Sequence, residues 1–516
     1  MRRPRACVAR SPAVVAASVA LALVLLAAAD GGYGPTAWGL GTIGALALVA
    51  LSASRGARVG RFDLLLPGAI AALGAWQLAS LLWTRSIPSS ALEPQRTLLY
   101  ATVVLAAVMA LRPVDVRPAL LGVVAAALVV SCWNLASLPF AGSSTGDTTK
   151  PIGYANALAL LAVVGLVLIA ALAPRTPRGL ALGAAASAPL LLVAVLAESR
   201  AAWPALVVGL AAAAVVASGA RRRGALLAAV ILTGVTVMVA LALVGSAERR
   251  SYWRATAGIV GAQPVLGTGG GTWHAEWLER RTVALAARNA HSLPLEALAE
   301  FGPLGLALVL LVFSVPLAAA VRGSPSAEAA GAAGAVAAFA VHAAVDWHWQ
   351  IPAATIGALL CAATLVVAVR DERRTRRLPA RAVTLAATAA GAGVMLVLAG
   401  SVTSDRASRL LAQGDSCRAA WWAAVGAQLQ PWASAPLLTR AEAAVRCGDE
   451  DAAARAVASA LRRDPRDVET WRTVARLSTG AARRRAEERL CILDPLGAGT
   501  DSRLNGRSGP APACNP

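Results

Sequence analysis

Residues 221–302 read RRRGALLAAVILTGVTVMVALALVGSAERRSYWRATAGIVGAQPVLGTGGGTWHAEWLERRTVALAARNAHSLPLEALAEFG. Three arginines come first, then an unbroken apolar run at 225–245, then the longest polar stretch in the chain. At about 1.5 Å of rise per helical residue, that run spans roughly 30 Å, the thickness of a bilayer's hydrocarbon core. It therefore reads as a membrane-crossing helix, and the polar stretch as a large loop on the side away from the arginines. That loop holds Arg249, Arg250, Arg254, Arg280, Arg281 and Arg288, with His274 and His291.

Working outward, the same alternation repeats over most of the chain. About thirteen apolar spans fall near 13–29, 37–53, 64–83, 97–111, 119–138, 155–173, 180–197, 201–218, 225–245, 303–321, 329–346, 353–369 and 382–400. Of 516 residues, 57% are hydrophobic and only 15% charged, against roughly 25% charged in soluble domains. This composition excludes a soluble globular protein. The formal net charge of +20 does not point to nucleic acid, because basic membrane proteins concentrate arginine in cytoplasmic loops.

The arginines also predict orientation. With the N-terminus inside, the inside segments hold 21 arginines, while the short outside loops hold Arg85, Arg96, Lys150 and Arg200. Such an asymmetry is the positive-inside pattern. It puts loop 246–302 and everything after residue 400 on the extracytoplasmic side. Residues 2–30 are compatible with a cleavable signal peptide, but the apolar run is long for one and a retained signal-anchor is preferred.

The expected class is all-α: a polytopic transmembrane bundle of about 12–13 spans (1–403) plus an extracytoplasmic α-helical repeat domain (404–495) and a disordered tail (496–516). In 404–495, Pro431, Pro465 and Pro495 recur at spacings of 34 and 30 residues, which suggests tetratricopeptide-like hairpins. Such hairpins offer a groove for a partner or polymer, so removing 404–516 is expected to leave some activity. Cys417, Cys447, Cys491 and Cys514 all lie in this outer part. Three sets of pairings are open, of which Cys417–Cys447 is favoured because successive hairpins bring helix ends together. No Cys/His spacing suggests zinc.

Several motifs in order carry a family resemblance. They are Lys150-Pro-Ile-Gly-Tyr-Ala-Asn156, Glu198-Ser-Arg200-Ala-Ala-Trp203, Tyr252-Trp-Arg254, Pro264-Val-Leu-Gly-Thr-Gly269, Ala290-His-Ser-Leu-Pro-Leu-Glu296 leading to Glu300-Phe-Gly302, and Asp346-Trp-His-Trp-Gln-Ile-Pro352. Over roughly residues 60–370 the chain resembles the O-antigen ligase and polymerase superfamily of polytopic membrane glycosyltransferases. It departs from the pattern at Ser292, where many members have Asn, and at Ala201 and Ala202, where a glycine commonly follows the arginine.

The resemblance implies an inverting, metal-independent transfer of a glycan from a polyprenyl-diphosphate carrier to a glycan or lipid acceptor in cell-envelope polysaccharide assembly. It implies no cofactor. Diphosphate departure needs fixed cations or a metal, and the outside loops contain no Asp-x-Asp motif. Arginine suits phosphate by its fork of donors, so Arg200 and Arg254 are the expected catalytic cations. His291, just before an expected helix start, is the expected general base. Lys150, Tyr154, Asn156, Trp253, Gly267, Gly269, Glu296 and Asp346 are the expected substrate-binding residues. The other loop arginines, Arg249 among them, are expected on a solvated or headgroup-facing surface. Two other functions stay open: a transporter or flippase of lipid-linked glycans, and a non-catalytic envelope scaffold acting through its repeats.

Overall fold

The computed structural model describes residues 11–140, 149–285 and 287–497. Cys7, Cys514, the N-terminal arginines and nearly all of the 496–516 tail lie outside them.

The chain is an all-helical, multi-pass bundle. Among the described residues, eight helices are long and apolar enough to cross a membrane, including Arg223–Gly245, Leu293–Arg322 and Ala380–Ala412. Pro12–Ala28, Ala202–Ala217, Ala327–Ala343 and Pro352–Ala368 are shorter but equally apolar. Helix Glu93–Ala110, expected to cross, carries Glu93 and Arg96 near its start and is buried over most of its length. The expected span at 303–321 is the second half of Leu293–Arg322, which breaks its helical geometry at Gly302. The polar loop thus ends at residue 292, ten residues earlier than the apolar pattern indicates.

One end of the bundle is tied by arginines. Asp63 and Arg370, both nearly fully buried, pair at 2.6 Å, and Arg370 also donates to the carbonyls of Leu111 (2.8 Å) and Val108. The only strand pairing among the described residues, Arg58–Val59 with Arg376–Arg377, lies at the same end. The opposite end carries the polar segment 246–292.

That segment is itself ordered. Ser246 accepts from the backbone N–H of Arg249 at 3.2 Å and caps helix Ala247–Ala262, with Glu248 in its first turn. Both features stabilise a helix N-terminus, where backbone donors lack partners and the dipole favours a negative charge. A second helix, Trp273–Arg280, follows.

Helix Ala380–Ala412 runs unbroken past residue 403 and leads into short antiparallel helices ending with Gly480–Leu493. Cys417 and Cys447 are joined by a disulfide. The last two helices return to the polar segment: Val468, Leu490 and Leu493 share one apolar core with Tyr252, Trp273 and Trp277.

Candidate active site

Where segment 246–292 meets the bundle lies a cavity of about 670 Å³, lined among others by Tyr154, Asn156, Arg200, Arg249, Tyr252 and His291. Glu198 and Glu248 also line it. Two of the three non-glycine residues with positive φ among those described, Glu198 (51°) and His291 (52°), are here. Such strain persists only where the surroundings impose it, and it clusters at functional sites.

The position of Arg249 follows from the helix it begins. With the cap at Ser246, Arg249 and Tyr252 sit three residues apart on one face. Arg254, five residues beyond Arg249, is turned away by about 140°; it is exposed and does not line the cavity. Arg249, expected on a solvated or headgroup-facing surface, is half-buried and lines the cavity with Arg200, which Arg254 does not. The Nη2 atom of Arg249 lies 3.7 Å from Oδ2 of Asp346.

Asp346 is fully buried and acts as a hub. It accepts from the Tyr154 hydroxyl at 3.0 Å, from Asn156 Nδ2, and from the backbone N–H groups of Trp347 (2.8 Å) and His348 (3.2 Å). His342, also fully buried, is hydrogen-bonded to His348 through their Nδ1 atoms at 3.0 Å. The ligating atoms of His342, Asp346 and His348 lie within 4.8 Å of one another. Both Asp346 oxygens already accept from several donors, which leaves little lone-pair capacity for an ion. Through these contacts the cluster forms a buried support beneath Arg249, Tyr154 and Asn156.

His291 is held from several sides. Its ring stacks on Tyr252, with centroids 5.2 Å apart. Nδ1 lies 3.1 Å from the Asn289 carbonyl. A carbonyl can only accept, so Nδ1 carries the proton and Nε2 is the free base. Burial is the main cause holding its pKa below the ordinary histidine value, while Asp346 pulls it the other way. The neighbouring backbone is fixed too: the Ala290 N–H donates to Glu296 at 2.8 Å, and Trp253 Nε1 donates to the Ala290 carbonyl at 3.0 Å. Gln350 Nε2 donates to Glu296 at 3.2 Å, tying this loop to the Asp346 loop.

The remaining expected residues lie outside the cavity lining. Trp253 and Glu296 hold the His291 loop. Gly267 (φ 70°) and Gly269 (φ 97°) belong to a turn packed against other chain segments. A Cβ on Gly267 would come within 2.4 Å of the Glu300 backbone, and one on Gly269 within 2.4 Å of the Thr84 hydroxyl. Their backbone N–H groups donate to the carbonyls of Gln263 (3.3 Å) and Glu300 (2.9 Å). The Lys150 carbonyl accepts from Asn134 Nδ2 at 2.7 Å.

Sequence reasoning missed Arg249 as a site residue and gave Tyr252 no role of its own. A helical projection from the Ser246 cap would have found both.

Residues 185–310 fit the family model described as O-antigen ligase. The matched segment contains Arg200, Arg249, Tyr252 and His291, and ends inside helix Leu293–Arg322. No curated protein matches the chain. Over this segment, which carries most of the cavity's polar lining, the chain is similar to the O-antigen ligase family.

Proposed function

We propose that this protein transfers a glycan from a polyprenyl-diphosphate carrier to an acceptor hydroxyl at the outer face of the cytoplasmic membrane. The carrying observation is the meeting of Arg200, Arg249 and His291 on one cavity at the polar end of an apolar bundle. The arginine asymmetry of the loops supports the outer face, with the N-terminus inside.

In this reading the diphosphate lies against Arg200 and Arg249, whose guanidinium groups each offer paired donors to phosphate oxygens. Arg200 makes no ion pair among the described residues. Asp346 aims Arg249 without reaching the substrate. His291 Nε2 takes the proton of the acceptor hydroxyl as its oxygen attacks the anomeric carbon. The bond from that carbon to the diphosphate oxygen breaks, and the polyprenyl diphosphate leaves with the electron pair, its charge stabilised by the two arginines. One displacement inverts the anomeric configuration. Fixed guanidinium charges serve where a divalent ion would otherwise act, so transfer needs no metal. The helices after residue 412, read as tetratricopeptide-like, form the extracytoplasmic part.

Reconstitution tests this. Purified protein is given a defined polyprenyl-diphosphate glycan and an acceptor, with chelator present throughout, and the product's anomeric configuration is read by NMR. The expected result is an inverted glycosidic product. Movement of intact donor between leaflets without product would favour a transporter, and abolition by chelator would overturn the metal-free site.

A further inference from the structure

The C-terminal hairpin, Val468–Leu477 with Gly480–Leu493, is not a free appendage. Its apolar face, through Val468, Leu490 and Leu493, shares a core with Trp273 and Trp277, both essentially fully buried. Those two rings stack at 5.6 Å. Trp277 meets Tyr252 edge to face at 4.9 Å, and Tyr252 stacks on His291 at 5.2 Å. A continuous aromatic column thus runs from the hairpin to the His291 ring.

Two ionic anchors flank this column. Arg466, just before the hairpin, bonds Glu276 at 3.0 Å and Glu279 at 2.6 Å. Glu276 is only 1% exposed and also pairs with Arg85 and Arg280; those arginines hold its carboxyl below the usual range, against the opposing effect of burial. Asp494, at the hairpin's end, pairs with Arg281 and with Arg472 at 3.1 Å. Arg281 and Asp494 are both almost completely buried, so losing either partner strands a charge.

We infer that this hairpin is a positioning element of the active site, in which Arg466 and Asp494 clamp helix Trp273–Arg280 and through it set Tyr252 beneath His291. The inference rests on His291 being the base, and it departs from the expectation that residues 404–516 are dispensable for basic transfer. Loosening the clamp lets water reach the imidazole. The groups facing His291 are Tyr252, Glu248 and Arg249 from the polar segment, Asp346 from the bundle, and Glu198 and Arg200 across the cavity. None of them is substituted in the test variant, so a change in the ring's behaviour reports its solvation.

The experiment uses the full chain carrying Arg466→Glu with Asp494→Arg, which sets like charges against Glu276, Glu279, Arg281 and Arg472. Arg484→Glu with Arg485→Glu, on an exposed face of the last helix, is the control. Two readouts are taken: the rate of His291 acylation by diethyl pyrocarbonate, mapped by mass spectrometry, and the pH–rate profile of transfer. The clamp variant should be acylated several-fold faster at His291. Its acid limb should move up toward the ordinary histidine value of about 6.5, while the control matches wild type. Should the double reversal fail to fold, Arg466→Ala is expected to show the same changes in smaller degree. Wild-type acylation at His291 in a folded variant would overturn the clamp. Because labelling does not depend on catalysis, that result stays distinct from normal turnover in His291→Ala, which would instead remove His291 as the base.

Discussion

Arg249 and Asp346 face each other across the wall of the cavity, guanidinium to carboxylate at 3.7 Å, with the aspartate fully buried and the arginine half-buried. The segment matched as O-antigen ligase supplies the arginine, and a loop beyond it supplies the aspartate. The pairing explains why a cation can sit at the membrane end of the polar segment and still point inward.

Removing that support is expected to disturb the arginine more than the fold. Asp346→Asn keeps the shape but loses the charge, and it turns an amide toward donors from Tyr154 and Asn156. A hydrogen bond to a charged acceptor contributes about 1.5–3 kcal/mol, and the buried Asp346 carboxylate accepts several. Transfer should fall at least about 30-fold, which is what roughly 2 kcal/mol implies, with weaker donor binding. The check is donor affinity and turnover in detergent; wild-type affinity would remove Asp346 as the group that aims Arg249.

Arg249 and Arg254 provide a contrast within one helix. Arg249→Ala should lower transfer by about 10²–10³, the usual loss for a transition-state charge contact. Arg249→Lys should remain impaired because the fork is lost. Arg254→Ala, on the exposed face, should transfer at near wild-type rate. Steady-state assays of all three decide the matter, and the reverse order would restore Arg254 to the site.

The pH dependence follows from His291. Burial holds its pKa below the ordinary value, so Nε2 stays unprotonated at neutral pH and becomes protonated only as pH falls well under about 6.5. Transfer should therefore hold between pH 7 and 6.5 and decline at lower pH as the base is lost. The residual activity of His291→Ala should lack that decline. A wild-type limb centred above 6.5 would speak against a buried, neutral imidazole.

At the other end of the bundle, Asp63→Ala should strand Arg370 and destabilise the protein by about 3–5 kcal/mol. Asp371→Ala, which breaks the exposed pair with Arg374, should change stability by roughly 1 kcal/mol or less. Thermal unfolding in detergent compares them. Equal midpoints would mean the buried pair contributes nothing to the fold.

The bundle was legible in the sequence because each crossing helix must be apolar over its whole length, whatever it packs against. Residues 225–245 announce themselves in isolation. Helix Glu93–Ala110 was harder, since its burial among other helices offsets the polar residues at its start. Of the residues that the motifs single out, His291, Arg200, Tyr154 and Asn156 line the cavity. Choosing Arg254 over Arg249 came from weighing flanking aromatics instead of helical phase. The burial of Asp346 and the docking of the last hairpin were not readable. Arg466 meets Glu276 across 190 residues, and no local pattern encodes such a contact.

The account's central claim is one site in which arginines hold the donor and His291 serves the acceptor. Its most direct test measures donor affinity and single-turnover transfer in Arg249→Ala and His291→Ala, side by side with wild type. The account predicts weakened donor binding together with slowed transfer in Arg249→Ala, and near-normal donor binding with a severe loss of transfer in His291→Ala. Near-normal turnover in His291→Ala, or unchanged donor affinity in Arg249→Ala, would contradict it.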